Sequence, residues 1–372
     1  MKELRDILKI LEQIKRDQQK AVLATVIDVK GSAYRKPGAR MLITSEGLTV
    51  GMVSGGCLEN DVSEHAKHVM KSGQPRIVTY DTTTDEDLLW GFGIGCQGIV
   101  EILIESLEPE REYFPLNFLA HKQPTILVTV IKVEGLVNAK LGDHLILRSL
   151  ELEISDIDEP EIISLIISEA QKILSKEKSI TRRYILPSGF FDVFIEVIPP
   201  PLSLIIFGAG NDALPLVQFA QLLGWEVILV DCRANEASYH RFSNAHRVIL
   251  TGRDRLQQDV KIQEQSVVVI MTHNYLDDLA ILRWLCPLSL RYLGLLGSQE
   301  RSERLLQDLH KQEILSQVTL FSPIGLDIGA TTPVEIALAI IAEIQAVISQ
   351  RSGGFLKERS KKVTSKHTIE TE

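Results

Sequence analysis

Leu202-Ser-Leu-Ile-Ile-Phe-Gly-Ala-Gly-Asn-Asp-Ala213 reads as a buried strand running through a glycine-rich turn into a helix. The helix continues through Leu216, Phe219, Ala220 and Leu223 until Gly224 ends it, and Glu226-Val-Ile-Leu-Val-Asp231 is the next strand. A G-x-G-x-x-A turn between strand and helix, with a carboxylate about 20 residues on, is the sequence form of a nucleotide-binding βαβ unit. Gly208 and Gly210 allow a tight turn and close approach of a phosphate, and the helix start supplies N–H donors. Asp231 is in place to hydrogen-bond a ribose; the competing reading is a strand-end carboxylate that caps a turn. Asp212 brings negative charge to where a pyrophosphate docks, which counts against an ordinary dinucleotide.

Alternation continues downstream: strands over 247–250, 267–271 and 290–296, and helices over 275–285, from Gln299, and over 332–348. This predicts a Rossmann-like, doubly wound parallel sheet over 199–350. Functional groups of such sheets gather at the strand C-termini. That edge holds Thr272-His273-Asn274 with Asp277 and Asp278, Gly297-Ser298, and Ser322–Ala330. His273 is a candidate acid, base or ligand, or a histidine hydrogen-bonded between loops. Residues 351–372 are charged, carry few large apolar side chains, and read as a disordered tail.

Pro199-Pro-Pro201 marks the boundary: three stiff residues without N–H donors. Before it, 1–198 reads as an α+β region, either one body or two subdomains with a break near 108–120. A helix with Leu4, Ile7, Leu8, Leu11 and Ile14 on one face opens it, and Ala21–Ile27 is a continuously apolar strand. A hairpin turns around Ser45-Glu46-Gly47, and a helix carries Leu58, Val62, Ala66 and Val69 to Gly73. Strands over 76–80, 99–104, 125–133 and 142–147, a helix over 162–174 and a hairpin across 187–189 complete it. The overall class is α/β, and no repeat of about 20–50 residues is visible.

The chain has 372 residues, and its net charge of −9 argues against nucleic acid as a partner. No apolar run is long enough to span a bilayer, and the N-terminus is not a signal peptide. Four cysteines, at 57, 96, 232 and 286, form no C-x-x-C, as suits free thiols in a reducing cytoplasm.

Two of these cysteines lie among glycines. Val53-Ser-Gly55-Gly56-Cys57 places a thiol at a helix start, where unpaired N–H groups favour a thiolate, although Glu59 and Asp61 oppose a second anion. Trp90-Gly-Phe-Gly-Ile-Gly-Cys96-Gln-Gly98 is a second such turn. Together they can converge on a soft metal or carry sulfur; alternatively each is an inert cysteine in a tight turn. Gly31–Arg40 holds Arg35, Lys36 and Arg40, suited to a phosphate or to plain solvation.

Gly31-Ser-Ala-Tyr-Arg-Lys-Pro-Gly-Ala-Arg-Met41 followed by Val53-Ser-Gly-Gly-Cys-Leu-Glu59 resembles the signature of the XdhC/CoxI family. Pro199–Asp231, Met271-Thr-His273, Leu293–Ser298 and Pro323-Ile-Gly-Leu-Asp-Ile-Gly-Ala330 resemble that family's Rossmann-like half, in order. Two departures stand out: Gly95-Cys-Gln-Gly98 where Gly-Cys-Gly-Gly is expected, and Asn211-Asp212 where many members carry His-Val. The resemblance implies a xanthine dehydrogenase accessory protein. Such a chaperone binds the molybdenum cofactor, supports its sulfuration, and passes it to an apo-molybdenum hydroxylase of the xanthine dehydrogenase type. It further implies a homodimer and a cysteine desulfurase partner. The expected cofactor contacts are Cys57 (also the metal or sulfur contact), Gly55, Gly56, Arg35, Arg40, Cys96, Gly208, Gly210, Asp231 and His273. Two other classes compete. One is an NAD(P)-dependent oxidoreductase using Gly208, Gly210 and Asp231, with NAD(P) or another nucleotide as cofactor; the other is a scaffold or nucleotide sensor. The paired glycine-cradled cysteines are needed only by the chaperone.

Overall fold

The first seven residues of strand β1 (Ala21–Gly31) are all buried, so both faces of this strand must be covered. Alternation along a strand sends neighbours to opposite faces. Val22, Ala24 and Val26 meet Val62, Ala66 and Val69 of helix α2 (Glu59–Ser72). Ala21 and Leu23 meet Ile7, Leu11 and Ile14 of helix α1 (Lys2–Arg16), together with Leu127, Ile146 and Ile198. The computed structural model describes residues 2–83, 98–107, 123–174, 179–233, 236–264, 266–311 and 319–358. The expectations for Cys96, for the break near 108–120 and for the tail beyond Glu358 lie outside the described residues.

Strand β1 centres an antiparallel sheet with β2 (Arg40–Thr44), β3 (Thr49–Gly51), β4 (Arg76–Asp81) and β5 (Gly98–Leu107), in the order β3-β2-β1-β5-β4. The predicted hairpin is β2–β3, and Gly73 ends α2 in the left-handed conformation. A second antiparallel sheet contains β6 (Thr125–Gly135), β7 (His144–Arg148), β8 (Glu151–Ser155), β9 (Ile180–Leu186) and β10 (Gly189–Ile198), in the order β8-β7-β6-β10-β9. Helix α3 (Pro160–Leu174) covers its outer face through Ile162, Ile166, Ala170 and Ile173. Its inner face, with Leu127, Ile146 and Ile198, packs on the first sheet.

These two sheets are copies of one design. Among the described residues, each is built from three strands, a helix and two strands, paired in the same order. Thr25-Val26-Ile27 with Val29 and Gly31 recurs, at one constant spacing, as Thr129-Val130-Ile131 with Val133 and Gly135; Gly38 and Arg40 correspond to Gly142 and His144. A bulge recurs as well. The β1–β5 register skips Ile27 and the β6–β10 register skips Ile131. Both isoleucines, with Leu103 and Phe194, pack together between the sheets.

Polar pairing repeats the pattern with the partners exchanged. Arg40, of the first copy, holds Glu196, of the second, in a buried bidentate pair whose Nη1–Oε1 bond is 2.9 Å. In return, Nε2 of His144 lies 3.0 Å from Oε1 of Glu105, and its Nδ1 lies 3.2 Å from Oγ1 of Thr129. Gly38 and Gly142, with φ of 92° and 84°, carry the loops across these carboxylates. A Cβ on Gly38 would stand 2.6 Å from Oε1 of Glu196, so only glycine fits.

The chain divides into two units, Met1–Pro201 and Leu202–Glu372. In the second, β11 (Ser203–Phe207), β12 (Glu226–Asp231), β13 (Arg247–Leu250), β14 (Val267–Ile270), β15 (Tyr292–Leu295) and β16 (Leu320–Phe321) form a parallel sheet. The order β13-β12-β11-β14-β15-β16 is the doubly wound arrangement that the sequence predicted. Leu204 and Ile206 face helices α4 (Ala213–Leu222) and α9 (Pro333–Ile348). Ile205 and Phe207 face α7 (Tyr275–Leu285) and α8 (Gln299–His310). Short helices α5 (Ala237–Arg241) and α6 (Leu256–Asp259) lie between β12 and β14 in sequence. Thr332 and Glu335 form a capping box at the start of α9, and backbone N–H donation from Thr332 and Thr331 holds the Glu335 carboxyl at about 2. Of the residues read as tail, Gly353 instead lies against Leu326.

The Arg40–Glu196 pair yields a prediction. Glu196→Gln leaves a guanidinium buried without its counter-charge, a loss of about 3–5 kcal/mol. Urea unfolding followed by circular dichroism should show that destabilisation. The double change Arg40→Met with Glu196→Leu, which removes both charges, should recover most of it.

Candidate functional site

The loop between β1 and β2 walls a cleft of about 440 Å³ inside the first unit. Helix α1 contributes Glu3, Leu4 and Ile7, the loop contributes Tyr34 to Arg40, and the end of β10 with its extension contributes Glu196 to Pro199. The three cations of the loop behave differently. Arg35 forms a bidentate pair with Glu3, its Nη1–Oε1 bond 3.0 Å long. Arg40 is 7% exposed and its fork is taken by Glu196, while its Nε is buried with no hydrogen-bond partner. Lys36 is exposed, and among the described residues it has no ion-pair partner. An incoming anion therefore meets Lys36 without competition, and meets Arg35 and Arg40 only in competition with carboxylates.

Tyr34 of this loop lies over the cysteine turn: a Cβ on Gly55 would touch its ring at 3.4–3.6 Å. The turn is organised by Ser54, whose buried Oγ donates to Oε2 of Glu59 and accepts from Gly56 N at 3.2 Å, Leu58 N at 3.1 Å and Cys57 Sγ at 3.5 Å. Glu59 Oε1 also accepts from Ser54 N at 2.8 Å. The carboxylate read from sequence as an obstacle to an anion is instead the brace of the turn. Burial, the largest single influence, acts to raise the Glu59 pKa, but the hydrogen bonds from Ser54 and the backbone together outweigh it and hold the carboxyl below its ordinary value. Asp61 is engaged by Tyr80, whose hydroxyl donates to Oδ2 at 2.6 Å. Cys57 is half-buried at the start of α2 and packs, as Ala33 and Ala39 of the basic loop also do, against the core cluster that includes Val53, Leu58 and Val62.

The other predicted residues meet at the carboxyl edge of the parallel sheet, where strand order reverses between β11 and β14. Gly208, at φ 126°, passes so close to the β14 exit that a Cβ would lie 2.3 Å from the carbonyl oxygen of Met271. Nε2 of His273 bridges this reversal to Oδ2 of Asp212 at 2.7 Å. The Asp212 carboxylate folds over Gly210, where a Cβ would stand 2.2 Å from its Oδ1. It thereby occupies the approach that the fold offers a pyrophosphate. Asp231 is 1% exposed and turned inward: Oδ2 accepts from Ser238 Oγ at 2.6 Å, and Oδ1 accepts from Arg233 N at 3.0 Å. This is the turn-capping role weighed against ribose binding. Nearby, burial first, then the negative charges of Asp277, Asp231 and Asp278, push the Cys232 thiol up to about 12, which keeps it protonated. Cys286 is buried in the sheet core.

The predicted site residues thus form two groups. Arg35, Arg40, Gly55, Gly56 and Cys57 gather in the first unit; Gly208, Gly210, Asp231 and His273 gather in the second. Sequence reasoning missed Tyr34, Ser54 and Glu196. A single carboxylate inside the apolar run Val193–Ile198 was the available signal for Glu196. Among the described residues, no group of three or more His, Cys, Asp or Glu is placed to hold a metal ion, and no helix is long and apolar enough to cross a membrane.

Comparison with known proteins agrees with this two-part arrangement. Residues 14–81 match the XdhC and CoxI family, and residues 204–344 match the XdhC Rossmann domain. Over 341 residues, 90% of this chain and 95% of the relative, the sequence is 33% identical to a Bacillus subtilis protein named as a probable xanthine dehydrogenase subunit. It is 23% identical over 349 residues, 92% of this chain and 88% of the relative, to the molybdenum cofactor insertion chaperone PaoD of Escherichia coli. Among solved structures, it is similar to one described as a xanthine dehydrogenase from Bacillus halodurans. There the identity is 31%, the TM-score is 0.74, and the match covers 94% of this chain and 97% of that one.

The lowered Glu59 pKa gives a pH prediction. Ionised Glu59 stabilises the folded turn fully above its ordinary value of 4.5, and this contribution fades as the pH falls from there through the lowered folded value. Glu59→Gln should reduce stability at pH 7 and remove that part of the acid dependence. Melting temperatures of the two proteins, measured from pH 7 down to pH 3, should therefore converge at the acid end.

Proposed function

The chain belongs to the XdhC and CoxI family, and from that premise we propose that it is an accessory protein that binds the molybdenum cofactor as cargo. It supports sulfuration of the cofactor and its insertion into an apo-molybdenum hydroxylase of the xanthine dehydrogenase type. The observation that carries this reading is the half-buried Cys57 thiol, held by Ser54 on a glycine turn that Tyr34 joins to the cleft loop. A thiolate suits a molybdenum or sulfur centre because both partners are soft. The cleft fits an anionic cargo in part: it offers the unpaired Lys36 and the orphaned Nε of Arg40. We assign phosphate recognition first to Lys36, with Arg35 and Arg40 shaping the loop through Glu3 and Glu196.

Relatives are named both as an insertion chaperone and as part of a dehydrogenase. The accessory role accommodates both names if the protein acts beside the enzyme rather than as its catalytic centre. Cytoplasmic location, a homodimer and a cysteine desulfurase that supplies sulfur belong to the same proposal. The competing NAD(P)-dependent oxidoreductase reading is disfavoured by two side chains: Asp231 is closed to the free ribose diol of NAD, and Asp212 covers Gly210, where the pyrophosphate of either dinucleotide would dock.

The test is purification of the protein from cells that make the cofactor, with molybdenum and pterin measured per protomer, followed by reactivation of an apo-hydroxylase. Cys57→Ser replaces a soft thiol with a hard hydroxyl and should lower retention or transfer with the melting temperature nearly unchanged. Cys96→Ser should have a similar or smaller effect. Cys232→Ser and Cys286→Ser should transfer normally, since those thiols are protonated or enclosed in the core. Cys57→Ser matching the parent in both assays would sink the thiol assignment. Lys36→Ala should weaken cofactor binding about tenfold, the loss of one charge-assisted hydrogen bond.

A further inference from the structure

Two guanidinium groups converge on a single neutral oxygen beside the glycine turn of the second unit. Nη1 of Arg241 donates to the carbonyl oxygen of Ala209 at 3.0 Å, and Nη2 of Arg233 donates to the same oxygen at 3.4 Å. Arg241 is further fixed by Nη2 donation to Oδ1 of Asn211 at 2.8 Å, and its guanidinium lies 5.2 Å from the Phe242 ring centroid. Arg233 reaches the buried Asp231 only at 3.5 Å, and its side chain is 62% exposed. Among the described residues, no carboxylate pairs with Arg241.

Like charges held this close repel one another; the shared carbonyl offers only a partial negative charge, and Asp231, at 3.5 Å from Arg233, is already shared with Ser238 and the Arg233 amide. An anion bridging both forks would relieve that repulsion and accept several charge-assisted hydrogen bonds. The neighbouring groups narrow the choice of anion. In this fold the end of the second strand faces the ribose of a bound nucleotide: a carboxylate there takes a free hydroxyl, and an arginine takes a ribose phosphate. Here Asp231 is turned inward with both oxygens accepting hydrogen bonds from its own segment. The surface therefore offers the ribose position donors without a free acceptor. Asp212, folded over Gly210 and bonded to His273, opposes a pyrophosphate at the turn itself.

We infer that Arg233 and Arg241 form a binding site for a nucleotide whose ribose carries a phosphomonoester, and that the same crevice discriminates against a nucleotide offering only a pyrophosphate and a free ribose diol. The inference concerns the second unit alone and stands apart from the cofactor role assigned to Cys57 and Lys36. Failure here leaves that role intact, and the reverse also holds.

Titration calorimetry on the full chain tests it with 2′-AMP, adenosine, inorganic phosphate, NAD and NADP as probes. The expected order is 2′-AMP and NADP binding at least tenfold more tightly than adenosine, phosphate or NAD. Arg241→Ala should weaken 2′-AMP binding at least tenfold; Arg241→Lys should recover only part, because it restores charge without the fork. Arg233→Ala should act in the same direction. Asp212→Asn, which removes the charge over Gly210, should raise affinity for NADP more than for 2′-AMP. Circular dichroism and melting temperature confirm that each variant is folded. NAD binding as tightly as NADP, phosphate binding as tightly as 2′-AMP, absence of 2′-AMP binding at millimolar concentration, or an unchanged affinity in folded Arg241→Ala would each overturn the inference.

Discussion

A carboxylate enclosed between two sheets must find a counter-charge or a hydrogen-bond partner or destabilise the fold, and the described residues of the first unit include two such groups joined across the copies. Glu196 is met by Arg40 and Glu105 by His144. The route of the β1–β2 loop follows from the first pair. To bring Arg40 over Glu196, the chain must cross the carboxylate at Gly38, and the residues just before that crossing become the wall of the cleft. Tyr34 is thereby laid over Gly55, and the cysteine turn gains its neighbour. An arginine that reads in isolation as a ligand for phosphate serves first as the anchor of the loop.

Environment separates the three described thiols. Cys232 sits among carboxylates, which with its burial oppose its ionisation, and Cys286 sits in an apolar core. Cys57 alone stands on a turn whose polar groups are gathered around one serine hydroxyl. That serine and Glu59 close the turn from within, so Gly55 and Gly56 can stay small and leave the thiol half-exposed without the loop collapsing on it.

The parallel sheet was legible in the sequence because its signals are local. Apolar runs of strand length, a glycine turn and a helix start all fall within one short window at Leu202–Ala213. The helix periodicity of α2 and the hairpin before it were legible for the same reason. Less visible were relations between distant residues. Nothing near Arg40 announces Glu196, and nothing near Asp231 reveals that Ser238 will turn it inward. Strand β8 (Glu-Leu-Glu-Ile-Ser) is too polar, and β16 too short, to stand out. The duplication was also present in the letters, in Thr25-Val26-Ile27 and Thr129-Val130-Ile131, but its spacing is that of a whole subdomain, and β-strand patterns of this kind are common enough to pass unnoticed without the matching bulge.

The exchange of partners between the two copies has a consequence for how the chain is made. On the ribosome the first copy emerges complete in its own strands, yet its Glu105 still lacks His144 and its Arg40 still lacks Glu196. Glu196 belongs to β10, the last strand of the unit. The earlier copy therefore cannot settle its buried charges until nearly two hundred residues have been synthesised, and pairing within either copy alone offers no substitute. Closure of the two sheets is tied in this way to completion of both, so a truncated or half-translated unit keeps open charged groups that mark it as unfinished.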